Sequence, residues 1–120
     1  MSPIKSFRDL DVYKLSHEFA MKIFKISFKF PKEEKYALTD QIRRSSRSIS
    51  VNIAEGWGKR VYKKSFKRHL TDAMGSLEET IEWIQYSYDC EYIDNELKEI
   101  LLSKGTEIGA KLFRLNEGWN

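Results

Sequence analysis

The residues of this sequence that could carry chemistry are mainly cations, and they form two groups in the middle of the chain. The first group lies in the stretch Gln41–Arg60, which also has an apolar stripe with helical spacing, and it consists of Arg43, Arg44 and Arg47. The second group contains six cations and no acid: Lys59, Arg60, Lys63, Lys64, Lys67 and Arg68. Arginine and lysine bind phosphate and carboxylate groups, and arginine can do so with two parallel hydrogen bonds. Both groups therefore predict an anionic ligand or partner.

The second group gives the stronger indication of a bound anion. It lies at a predicted turn and helix start, where positive charge opposes the helix dipole. Residues 1–60 contain 13 Lys/Arg against 7 Asp/Glu, whereas residues 61–120 contain 8 against 11. An uneven charge distribution of this kind favours an anionic partner. Phosphate contact explains the run better than a structural role does.

The arginines of the first group have two interpretations that the sequence leaves open. They can bind phosphate, or they can pair with acids of this chain, such as Asp40 or Glu55, within or between subunits. Near the second group, aromatic side chains could stack on nucleic-acid bases, and these are Trp57, Tyr62 and Phe66, the last of which also fits the core.

Aromatic residues outside the core stripes predict that the chain assembles with itself. The six candidates for a subunit interface are Tyr13, Phe24, Phe28, Trp83, Tyr86 and Phe113. One small bundle has no second core to bury them, and exposed aromatic lines usually mark an interface. We therefore expect a homo-oligomer.

The sequence contains no recognisable motif for catalysis or metal binding. Bundles that hold two iron ions need Glu-x-x-His pairs, but Lys14 and Phe66 stand three residues before His17 and His69. No glycine-rich stretch has the lysine, serine and strand context of a phosphate-binding loop. The single cysteine, Cys90, has no base near it in sequence. We expect a protein that is not an enzyme and needs no metal or cofactor.

Four helices must position these groups. Apolar residues recur at intervals of three and four over about 11–30, 33–57, 63–90 and 95–116. Pro31 should end the first helix, Gly56 and Gly58 the second, and Asp94 should cap the fourth. Short connections between long helices favour antiparallel neighbours. The sequence predicts an all-α fold, with residues 1–120 forming one domain, an antiparallel up-down four-helix bundle.

The inward stripes of the four helices predict the core. They consist of Val12, Leu15, Phe19, Ile23, Ile26 and Phe30, then Leu38, Ile42, Ile49 and Ile53, then Phe66, Leu70, Ala73, Leu77, Ile81, Ile84 and Tyr88, and finally Leu97, Leu101, Ile108, Leu112 and Leu115. No stretch approaches the roughly 18–20 apolar residues that a membrane-spanning helix needs. The start of the chain lacks the apolar segment of a secretory signal, and a lone cysteine suits a reducing compartment. We expect a cytoplasmic protein with no membrane partner.

Several motifs together resemble a known family. They are DLDVY at 9–13, Phe30-Pro31, QIRRSSRSISVNIAEGWGK from Gln41, and MGSLEE at 74–79. This combination resembles the four-helix bundle proteins encoded in intervening sequences of bacterial 23S ribosomal RNA genes. Ser50 and Thr80-Ile81 depart slightly from the family pattern. The resemblance implies an antiparallel bundle that assembles into a ring, commonly a pentamer, and it implies kinship with the nucleic-acid-binding accessory proteins of diversity-generating retroelements. It supplies no catalytic residues.

Two functions are consistent with these sequence features. The first is an oligomeric module that binds nucleic acid, RNA in particular, through Arg43, Arg44, Arg47 and the cations between residues 59 and 68. The alternative is a protein-interaction scaffold whose basic face meets an acidic protein partner. A nuclease or other enzyme would need a metal site or general base that the sequence does not offer.

Overall fold

Four α-helices form the protein in the computed structural model, which describes residues 4–119. Their bounds are α1, Asp11–Ser27; α2, Leu38–Gly58; α3, Lys63–Asp89; and α4, Asn95–Gly118. Short 3₁₀ turns at Phe7–Asp9 and Lys32–Glu34 precede α1 and α2. Residues 4–119 contain no strand, so the predicted all-α class is confirmed.

The first helix ends before the predicted residue 30. Beyond Ser27, the amides of Lys29 and Phe30 bond to carbonyls three residues back rather than four. Pro31 follows with an extended backbone at ψ 152°, and the residue before a proline disfavours helical geometry. The last three residues of the predicted helix therefore form a tight turn.

The second helix begins at Leu38 rather than at the predicted residue 33. Ala37 adopts φ −122° and ψ −109°, outside the helical region, so the chain changes direction there. The carboxylate of Glu34 accepts the Leu38 amide hydrogen at 3.3 Å and the Tyr92 hydroxyl hydrogen at 2.9 Å. Because Tyr92 is 58 positions away in sequence, a distant contact helps to fix this boundary.

Other helix ends lie closer to the sequence prediction. The helices α3 and α4 begin at Lys63 and Asn95, as predicted, and the Asp94 carboxylate caps α4 by accepting the Leu97 amide hydrogen at 2.8 Å. The end of α2 at Gly58 lies one residue beyond the predicted residue 57, and Gly58 ends the helix as predicted, whereas Gly56 is buried within the helix and does not end it.

The core lies between the four helices, each of which packs against two others. Consecutive helices are neighbours, and α4 also packs against α1. Each helix contributes fully buried residues to the centre, among them Phe19, Ile49, Leu77 and Ile108. Six predicted core residues are only half-buried at its edge, and these are Leu15, Ile26, Ile81, Tyr88, Leu97 and Leu115.

The contact between α2 and α3 is close and partly polar. The Thr80 and Ser45 hydroxyls are hydrogen-bonded at 2.8 Å, and the Ser76 hydroxyl donates to the Ser48 hydroxyl at 2.9 Å. No buried side-chain polar atom in residues 4–119 lacks a hydrogen-bond partner. Small hydroxyl side chains thus let two backbones approach without an unsatisfied polar group.

Candidate nucleic-acid interface

The turn between α2 and α3 brings the second group of cations together at one end of the bundle. We call this group the basic end, and it comprises Lys59, Arg60, Lys63, Lys64, Lys67 and Arg68. All of these side chains are exposed except that of Lys67, which is half-buried. Three backbone bonds hold the turn, from the amides of Lys59, Arg60 and Tyr62 to the carbonyls of Gly56, Trp57 and Lys59. The cations therefore project from an ordered connection.

A cluster of three aromatic rings packs beside this turn. The Trp57, Phe66 and Trp119 rings meet edge to face, with centroids 4.6 to 6.2 Å apart. The Arg60 guanidinium lies 4.4 Å from the centroid of the Trp57 ring and donates a hydrogen bond to the Trp57 carbonyl at 2.9 Å. Arg60 is thus held in place, although its side chain remains exposed.

Lys59 is held by a chain of hydrogen bonds that runs across α2 and α3. Its ammonium lies 3.1 Å from Nε2 of His69, and His69 Nδ1 lies 3.1 Å from Oδ1 of Asn52. An amide oxygen only accepts hydrogen bonds, so Nδ1 carries the proton and Nε2 accepts from Lys59. Asn52 in turn donates to the backbone carbonyl and the hydroxyl of Ser48. Both nitrogens of His69 are engaged, which the sequence alone did not reveal.

No described side chain forms an ion pair with the basic end. Residues 4–119 contain two salt bridges, Arg44–Asp40 at 3.0 Å and Lys98–Glu99 at 3.7 Å, and neither involves the basic end. The first turn of α3 contains no acid. The positive charge of the basic end is therefore not paired with a carboxylate of any described residue.

The helix-two arginines lie elsewhere and are engaged with protein groups. Arg43 donates from Nε to the Ser27 hydroxyl at 2.7 Å, and its guanidinium lies 4.8 and 4.9 Å from the ring centroids of Phe24 and Phe28. The Arg47 guanidinium lies 5.2 Å from the Phe24 centroid. Along α2, Arg43 is about 24 Å from Lys59 at 1.5 Å per residue. The structure therefore separates the two groups of cations that the sequence analysis combined.

The six predicted interface aromatics fall into two classes. Phe28, Tyr86 and Phe113 are exposed, whereas Tyr13, Phe24 and Trp83 are half-buried within the subunit. The half-buried rings have intramolecular partners, since Tyr13 packs on Phe7 and Trp83 packs on Tyr86 with centroids 4.9 and 5.8 Å apart.

A shallow groove of about 260 Å³ lies beside Trp83 and Tyr86, where α2 begins and α3 ends. Its lining includes Ala37, Leu38 and Gln41 and is mainly apolar.

Glu34, which also lines this groove, accepts a hydrogen bond from Tyr92. The hydrogen bond to the Glu34 carboxylate raises the pKa of Tyr92 to about 12. The role of Glu34 does not follow from local sequence, because its partner is 58 positions away in the chain.

Residues 4–119 contain no group of three His, Cys, Asp or Glu side chains placed to hold a metal ion. Within the same residues, no helix is both long enough and apolar enough to span a membrane. Cys90 is a free, exposed thiol.

Comparison with known proteins decides the family. The model of the 23S rRNA-intervening sequence proteins matches residues 8–114, nearly the whole chain. The chain belongs to the 23S rRNA-intervening sequence protein family. The predicted resemblance is thereby confirmed, and the match covers both groups of cations and all six predicted interface aromatics.

A solved structure shares the fold of this 23S rRNA-intervening sequence protein. It is the 1.70 Å crystal structure of a protein with unknown function from the S23 ribosomal protein family of Bacteroides thetaiotaomicron VPI-5482. The two chains superpose with a TM-score of 0.79 and are 28% identical, over 88% of this chain and 97% of the other. No curated protein matches the chain.

Proposed function

We propose that this protein is a non-enzymatic, homo-oligomeric helical bundle that binds nucleic acid, with RNA as the favoured ligand. The observation that carries the proposal is the basic end, where six cations lie within ten residues of sequence and none forms an ion pair with another described residue. Clustered charge of this kind attracts a polyanion and binds it mainly through phosphate contacts. Membership of a family described by a ribosomal RNA intervening sequence supports RNA by association.

The proposal assigns the two groups of cations to different tasks. Lys59, Arg60, Lys63, Lys64, Lys67 and Arg68 bind phosphate, whereas Arg43, Arg44 and Arg47 serve packing and assembly. Arg43 and Arg47 lie against Phe24 and Phe28, and arginine beside aromatic rings is typical of protein interfaces. Arg44 already pairs with Asp40.

The proposed arrangement of the helices is antiparallel and up-down. The side-chain pairs between α2 and α3 support it, since Ser45 meets Thr80, Ser48 meets Ser76 and Asn52 meets His69. As the residue number rises along α2, that of the partner falls along α3.

The proposed assembly is a homo-oligomeric ring, for which the family resemblance suggests five subunits. Its support within the chain is the exposure of Phe28, Tyr86 and Phe113, since exposed large aromatics are characteristic of subunit contacts. Repetition of the basic end around such a ring would multiply a weak site through avidity.

Salt dependence tests the nucleic-acid function. We expect the affinity for RNA to fall steeply with ionic strength, and we expect Lys63→Gln/Lys64→Gln to reduce the slope of log K against log salt by about 1.4, at about 0.7 per lost phosphate contact. The control, Lys32→Gln/Lys35→Gln, removes the same charge before the start of α2 and should leave the slope unchanged. Affinity that stays flat between about 50 and 200 mM salt would refute the proposal.

The alternative function, a scaffold for an acidic protein partner, is favoured only by the arginine–aromatic contacts of α1 and α2. Charge reversal at Lys63, Lys64 and Lys67 separates the two functions. Size-exclusion chromatography with light scattering, run with and without RNA, reports oligomer and complex together. If charge reversal dissociates the oligomer in the absence of RNA, the scaffold is favoured instead.

A further inference from the structure

Two apolar side chains project from the tip of the basic end. Val61 is 86% exposed and Tyr62 is 71% exposed, and Arg60 and Lys63 flank the pair in sequence. No described aromatic ring or cation stacks on Tyr62. A free aromatic ring inside a cationic surface is suited to a ligand that has both flat apolar parts and negative charge.

The fold does not need the Tyr62 side chain. The turn and the start of α3 use only its backbone, since the Tyr62 amide donates to the Lys59 carbonyl and the Tyr62 carbonyl accepts the Phe66 amide hydrogen. Its side chain does not cap α3. A smaller or more polar residue would satisfy the same turn, so the ring is more simply explained by contact with a ligand.

The other two rings that could stack on bases are already occupied. Phe66 is fully buried, and Trp57 is covered by the Arg60 guanidinium on its face and meets Phe66 and Trp119 at its edges. Of the three aromatic residues that the sequence analysis considered for stacking, only Tyr62 presents an open ring.

We propose that the basic end binds single-stranded nucleic acid, with the Tyr62 ring stacked on an unpaired base and Lys59, Arg60, Lys63 and Lys64 on the adjoining phosphates. This inference rests on the proposed nucleic-acid function and specifies its ligand. Bases in a duplex are stacked on one another and present no free face, whereas every unpaired base has one. The selection for a single strand therefore follows from the exposed ring rather than from the charge, which attracts both forms.

The test compares a dye-labelled RNA single strand of about 20 nucleotides with its duplex by fluorescence anisotropy. The wild-type chain should bind the single strand more tightly. Tyr62→Ala should weaken single-strand binding about tenfold and leave duplex binding unchanged, because the loss of one base stack has about that effect. Tyr62→Phe keeps the ring and should bind as the wild type does.

A matched control is Tyr36→Ala, since Tyr36 is 85% exposed and also has a lysine beside it, with Lys35 Nζ 5.3 Å from its ring centroid. Tyr36 precedes α2, whereas Tyr62 follows it, and we expect no change in affinity. In a second measurement, 2-aminopurine in the single strand should be quenched by the wild-type chain but not by Tyr62→Ala, and circular dichroism should show that both are folded.

Each failure has a distinct meaning. Equal binding of strand and duplex, or unchanged single-strand affinity in Tyr62→Ala, would overturn the stacking inference while the nucleic-acid function stands. Failure of the wild-type chain to bind either RNA would overturn both. Anionic vesicles provide a third arm: if Tyr62→Ala abolishes vesicle binding but not RNA binding, the ring serves a lipid surface and the inference is wrong.

Discussion

The close contact between α2 and α3 requires a glycine at position 56, and we predict that Gly56→Ala destabilises the fold. A Cβ atom built at this position would lie 2.8 Å from Cβ of His69 and 3.2 Å from Cδ1 of Phe66. His69 Cβ is attached directly to the backbone of α3, and Phe66 is fully buried among other aromatic rings. Neither neighbour can move away cheaply, so Gly56→Ala must push the two helices apart.

The expected cost follows from two opposing effects. Overpacking a close contact costs about 1–3 kcal/mol, while alanine in a helix recovers up to about 1 kcal/mol relative to glycine. Gly56→Ala should therefore lower the free energy of unfolding by up to about 2 kcal/mol. The control is Gly75→Ala in the interior of α3, where a Cβ meets nothing within 4 Å, and this variant should gain about 1 kcal/mol.

Urea denaturation followed by circular dichroism measures both variants. The subunit concentration must be the same for each, because oligomer stability depends on concentration. The two variants should differ by about 1–3 kcal/mol, which is the overpacking cost alone, with Gly75→Ala the more stable. If Gly56→Ala is as stable as Gly75→Ala, the two helices are not as close as the structure places them.

Three further predictions concern single hydrogen bonds. The folded pKa of Tyr92, about 12, lies above the ordinary 10.0 because of the hydrogen bond to Glu34, so this bond contributes stability that is complete below about pH 10 and is lost as pH rises towards 12. Tyr92→Phe should remove this pH dependence of the free energy of unfolding, as urea titrations at several alkaline pH values would show. Asp94→Ala should cost about 0.5–2 kcal/mol by uncapping α4, measured by thermal unfolding. Thr80→Val should cost about 1–3 kcal/mol by removing a buried hydroxyl that bonds the Ser45 hydroxyl and the Ser76 carbonyl, which leaves Ser45 with only its 3.4 Å bond to the Ile42 carbonyl, and adding Ser45→Ala should recover part of the loss.

Local signals predicted the helices well where the residues that define a boundary are neighbours in sequence. The start of α4 follows from Asp94, whose carboxylate caps a residue three positions on. The start of α2 could not be predicted in this way, because Glu34 is held by Tyr92, which lies in the connection between α3 and α4. Gly58 ends α2 as predicted, but Gly56 lies inside the helix, where the absence of a side chain lets α3 approach closely. The spacing of residues along one helix carries no information about a second helix.

The candidate site also has features that follow from local sequence and features that depend on contacts between distant residues. The charge of the basic end was readable from sequence, because six cations without an acid need no tertiary contact to be noticed. The roles of Arg43 and Arg47 were not, since Phe24 and Phe28 come from another helix. Trp119 lies more than fifty residues after the turn that it supports, and no local pattern in the sequence connects the two.

The location of the aromatic residues bears on whether one subunit can both assemble and bind RNA. Trp83 and Tyr86 lie near the end of α3, and Tyr86 is about 35 Å from Lys63 along that helix at 1.5 Å per residue. Phe28, Arg43 and the groove beside Tyr86 also lie away from the basic end, at the junction of α1 with α2 and of α2 with α3. An interface formed by Phe28, Tyr86 and this groove would leave the basic end of each subunit exposed, whereas Phe113 lies only about 9 Å along α4 from Trp119, which supports the basic end. Removing the charges of Lys63 and Lys64 should therefore weaken RNA binding and preserve the oligomer, and dissociation of the oligomer would show that the two surfaces are one.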